Sequence, residues 1–69
     1  CNSDLWVFLK IYERSSAVGD TETANSAAIM VRGAIDNNPG VRRCWMGERE
    51  AMRMYGADRF VDAIDVLEN

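Results

Sequence analysis

The sequence predicts an all-α fold, a compact bundle of three to four short helices. Three observations predict it. Apolar residues recur at i, i+3, i+4 and i+7 along much of the chain, the spacing of one helical face. Helix-start residues (Ser3, Asp20, Thr21, Thr23) precede these runs, and Gly19 and Gly56 follow them where a helix stop belongs. The single proline sits in DNNPG, residues 36–40, the sharpest break in the chain. A chain of 69 residues is one domain, 1–69. The alternative is an α+β fold with a short strand at 5–12, because that run is rich in aromatic and β-branched residues.

The first element is SDLWVFLKIYERSSAVG. Ser3 suits the N-cap, and Asp4 places negative charge in the first turn, where the helix dipole favours it. Leu5, Phe8, Leu9 and Tyr12 share one face. Trp6, Val7 and Ile11 widen it, so this helix is expected to be covered on more than one side. The second element opens after Asp20. Ala24, Ala27, Ala28, Val31, Ala34 and Ile35 form its stripe. The stripe is mostly alanine, which lets a bulky neighbour come close; the first helix is the expected neighbour. Gly33 falls on the far side.

Pro39-Gly40 fits positions i+1 and i+2 of a type II turn. VRRCWMG then reads as an extended segment or a first helical turn, and Glu48 and Glu50 as charge at the start of a third helix reaching Tyr55. Cys44, Trp45, Ala51, Met52 and Tyr55 fall in one arc and are expected in the core, while Met46 points away from it. In the last element Ala57, Phe60, Ala63, Ile64 and Leu67 make one stripe. Asp58, Asp62 and Asp65 make the opposite one, expected to be a solvated outer face.

Composition narrows the function. Hydrophobic residues make up 48% of the chain and charged residues 28%, with a net charge of −3. That is a folding composition without the positive field that nonspecific nucleic-acid binding needs. No apolar run approaches the roughly 18 residues of a membrane span. There is no histidine, so the commonest general base and the His-containing triads are missing. Two cysteines alone cannot close a zinc shell, and aspartates spaced along a straight helix diverge rather than converge on a cation. The expectation is therefore no enzyme, no metal and no cofactor.

Cys1 and Cys44 are expected as free thiols in a reducing, cytoplasmic setting, with a single bridge between them as the alternative. Cys1 at the first position fits removal of an initiator methionine, a processed fragment or, least favoured, a lipidated residue.

The expected function is a small non-enzymatic protein–protein interaction module, such as an adaptor, inhibitor or regulator of a larger protein. Self-association, as a homodimer, is the other form of partnership considered. A small acidic protein of a phage or other mobile element fits the description. The interaction surface is expected at Arg42, Arg43, Trp45, Met46, Arg49 and Arg53, since Trp, Arg and Met are enriched at interface centres. The rival is a small dimeric nucleic-acid-binding regulator using the arginines from Arg42 to Arg59. Glutamates among those arginines, and a link between the helices too long for a tight turn, count against it.

Overall fold

Four helices follow one another through residues 4–67, the residues described by a computed structural model. They are α1 (Asp4–Ala17), α2 (Thr21–Asn37), α3 (Pro39–Met54) and α4 (Asp58–Val66). The described residues contain no strand, so residues 5–12 are helical as part of α1. The Ser3 cap expected for α1 lies outside the described residues, as does Cys1.

Local chemistry sets the helix ends. Asp20 caps α2: its carboxylate accepts from the Thr23 backbone N–H at 3.1 Å and the Thr23 hydroxyl at 2.6 Å. These bonds, the hydroxyl's first, hold the Asp20 carboxyl below its ordinary pKa. Gly19 and Gly56 both have positive φ, 77° and 83°. Each closes a Schellman motif. The Asp20 N–H reaches back to Ser15 O at 2.8 Å and Gly19 N–H to Ser16 O at 3.1 Å. At the end of α3, Ala57 N–H bonds Met52 O and Gly56 N–H bonds Arg53 O, both at 2.9 Å. Glycine is favoured at both C′ positions because a Cβ strains the left-handed backbone.

The break at 36–40 differs from expectation. Asn38 is the only residue between α2 and α3. Its side chain accepts from the Gly40 N–H at 2.9 Å and the Val41 N–H at 3.3 Å, making it the N-cap of α3. Pro39 is then the first helical residue, where its missing N–H costs nothing and its fixed φ suits the helix. Gly40 does not take the positive φ that a type II turn requires. VRRCWMG is accordingly helical. Glu48 and Glu50 lie inside α3 rather than at its start, and the expected long connection is a single residue.

The core joins all four helices. Its largest fully buried side chains are Phe60, Met52, Ile64, Val31 and Val61. Burying each contributes about 1.5–3 kcal/mol. Phe60 packs edge-on against Tyr12 (centroids 5.4 Å apart) and Trp45 (6.3 Å), which ties α4 to α1 and α3. Leu5 and Leu9 of α1 meet the Ala28–Val31–Ile35 face of α2, and these two helices form the most extensive pair. The alanine stripe does what its small side chains permit, although Ala34 at its edge is exposed. α1 meets more than one neighbour, as expected, but Val7 and Ile11 remain exposed and part of its widened apolar face is uncovered.

Cys44 is buried and forms a disulfide, contrary to the expected free thiol. No described cysteine is free.

Candidate functional site

The six residues expected at an interaction surface all lie on α3, but the helix sends them to different places. Trp45 is only 3% exposed and packs against Phe60, so it belongs to the core rather than to a docking surface. The sequence signal, a tryptophan among arginines and methionine, does not distinguish the two locations. Tyr55, expected in the core, is 79% exposed. It is the C-cap of α3, where the chain leaves the helix and the wheel that placed it inward no longer applies. Met52 is fully buried as expected.

Three of the arginines hold the bundle together. Arg42 donates from Nε to Ile35 O at 3.2 Å and from a terminal nitrogen to Asp36 O at 3.0 Å. These are carbonyls at the C-terminal end of α2, whose last turn has no basic residue of its own. Arg42 therefore supplies, from the next helix, the positive charge that the dipole favours there. Arg49 pairs with Asp65 at 2.5 Å. Arg53 meets Asp62 at 3.0 Å, Asp65 at 3.5 Å and Asp58 at 4.0 Å. The Asp62 bond in particular makes the Arg53 guanidinium hold its proton more tightly than usual.

Asp58 and Asp62 stay mostly exposed, as expected of an outer face, while half-buried Asp65 turns toward α3, and together the three clasp its arginines. Asp58, Asp62 and Asp65 offset the charge of Arg49 and Arg53, so the α3 arginines do not add up to a positive stripe. Arg43 is exposed and makes no ion pair among the described residues.

One groove gathers much of what remains. It has a volume of about 600 Å³ and lies where the end of α2, the first half of α3 and the end of α4 meet. Arg42, Trp45, Met46 and Arg49 line it, whereas Arg43 and Arg53 do not. Met46 is its exposed apolar element, at 68% exposure. Ile35, Arg32, Asp36 and Asp65 complete the walls, and sequence reasoning did not assign them there. The spacing of Arg32 and Asp36 carried a usable signal, since i and i+4 share a helix face. They pair at 2.7 Å, and the Arg32 bond holds the Asp36 carboxyl below its usual range. Inside the clasp, the Arg49 Nε is buried with no hydrogen-bond partner.

The groove offers guanidinium donors, two carboxylates and a thioether. Those groups are suited to binding and orienting an acceptor-bearing ligand. Among the described residues no group of three His, Cys, Asp or Glu side chains could hold a metal ion, and no helix is long and apolar enough to cross a membrane. No family model matches the chain, and neither the curated proteins nor the solved structures compared with it give a match.

Proposed function

We propose that this chain is a small non-enzymatic protein-interaction module that docks a larger protein through the groove around Met46. One observation carries the reading: an exposed methionine stands in a groove walled by Arg32, Arg42 and Arg49, each already bonded within the bundle. Methionine adapts its shape to a partner, and arginine brings several donors on a planar head. An arginine already bonded on one side keeps N–H groups for a second acceptor. The internal bonds fix the arginines in advance, which lowers the ordering cost of binding.

The interaction surface is narrower than the six residues first assigned. Met46, Arg42 and Arg49 form it, with Arg43 at the exposed periphery. Trp45 supports it from within, and Arg53 holds α4. The disulfide at Cys44 supports an oxidising compartment rather than the reducing cytoplasm, where such bonds are rare.

The test compares affinity capture from extracts of the source organism by the native chain, Met46→Glu and Arg53→Gln. A partner captured by the native chain and by Arg53→Gln, and lost with Met46→Glu, supports the groove. A partner kept by Met46→Glu and lost with Arg53→Gln contradicts it. Circular dichroism on each variant establishes that the bundle is intact.

A further inference from the structure

A second feature stands on a different face. Trp6 of α1 is half-buried, and its indole N–H donates to the Glu48 carboxylate of α3 at 3.0 Å. Its ring meets that of Tyr55 with centroids 5.7 Å apart and planes at 87°. Glu48 lies within α3 and Tyr55 is its C-cap, and Trp6 reaches both from α1. The arrangement is two ring planes at right angles with a carboxylate alongside.

The carboxylate is the informative part. Among the described residues Glu48 makes no ion pair, in contrast to the aspartates of α4. Lys10, one turn along α1 from Trp6, does not pair with it. The Trp6 bond occupies Oε2 and leaves Oε1 an acceptor. Tyr55 keeps most of its ring in solvent. An aromatic face is negative and attracts a cation, and a carboxylate beside it adds charge of the same sign.

We propose that Trp6, Glu48 and Tyr55 form a corner that receives an arginine side chain of a protein partner. The planar guanidinium suits it better than an ammonium. It stacks on an aromatic face while donating in its own plane to Glu48 Oε1. The net charge of −3 favours the approach of a basic segment. None of the three residues lines the Met46 groove, so the two proposals fail separately.

The chain has two tryptophans, which makes the test internally controlled. Acetyl-arginine amide is titrated into the native protein while the two indole N–H resonances are followed by NMR. Its neutral isostere, acetyl-citrulline amide, is titrated in parallel. The Trp6 resonance is expected to move saturably with the arginine compound and not with citrulline, while that of buried Trp45 stays still. Glu48→Gln keeps an oxygen for the indole but removes the charge, and is expected to weaken binding about fivefold, the range of an exposed ion pair. Tyr55→Leu is expected to weaken it about threefold, and Tyr55→Phe to leave it unchanged. Equal Trp6 shifts with arginine and citrulline overturn the proposal. So do equal shifts at both tryptophans, or titrations that Glu48→Gln and Tyr55→Leu leave unaltered.

Discussion

The clasp between α3 and α4 makes a quantitative prediction at Arg49 and Asp65. Both side chains are about one-third exposed, at 34% and 31%, and their charged atoms are 2.5 Å apart. Fully exposed pairs couple by roughly 0.2–1 kcal/mol, and partial burial with a charge-assisted hydrogen bond moves this one to the top of that range, about 1 kcal/mol.

The two single changes are not expected to cost the same. Arg49→Met removes the ion pair but also removes the buried Nε that has no partner, and Asp65 keeps Arg53 at 3.5 Å. Asp65→Asn weakens both contacts at once. It should therefore be the more damaging change, at about 1 kcal/mol against less than ~0.5 kcal/mol for Arg49→Met. For a domain of this size 1 kcal/mol moves the melting temperature by roughly 4–8 °C. Thermal and urea unfolding of the native chain, both single variants and the double variant yield the coupling energy directly. Repeating the cycle at about 1 M salt should shrink it, because the pair is partly open to solvent. A coupling below about 0.3 kcal/mol, or Arg49→Met costing more than Asp65→Asn, refutes the clasp as described.

Three further outcomes are expected. Phe60→Ala empties the point where α1, α3 and α4 meet and should cost about 3–5 kcal/mol, comparable with the whole stability of so small a domain; a cooperative melt shifted by only a few degrees contradicts that role. The carboxyls of Asp20 and Asp36 lie below their ordinary 3.8 in the folded chain, so the stability they contribute is full above that pH and falls as the pH drops through their folded values. Asp20→Asn still caps α2, and should flatten the acid limb of the stability profile without removing the helix. Reducing the Cys44 disulfide should lower the melting temperature, at about 2–4 kcal/mol for a typical bridge, and thiol labelling of the unfolded chain should succeed only after reduction.

What the sequence made legible was the part governed by short-range periodicity. Leu5 and Leu9, the Ala24–Ile35 stripe, and Phe60 with Ile64 read correctly as buried faces because 3.6-residue spacing is a property of one helix. Gly19 and Gly56 read correctly because a positive φ at C′ is a local demand. Asn38-Pro39 misled because the same dipeptide serves a turn and an N-cap followed by N1, and only the continuing helix decides between them. Asp65 of α4 misled for a different reason, while Asp58 and Asp62 stay exposed as read. Whether a polar stripe faces solvent or a neighbour depends on the angle between two helices, which no single-helix pattern contains. Trp45 read both as core and as part of the interaction surface, and its packing against Phe60 places it in the core. The candidate site was therefore half legible, its residue types visible and their directions not.

The central claim is that exposed Met46, and not the arginine cluster as a whole, meets the partner. Site-specific photocrosslinking tests it most directly, with the crosslinker placed at position 46 in one preparation and at the exposed Val18 of the α1–α2 connection in another. The account predicts a single covalent adduct to the captured partner from position 46 and none from position 18. Adducts from position 18 with none from position 46 contradict it.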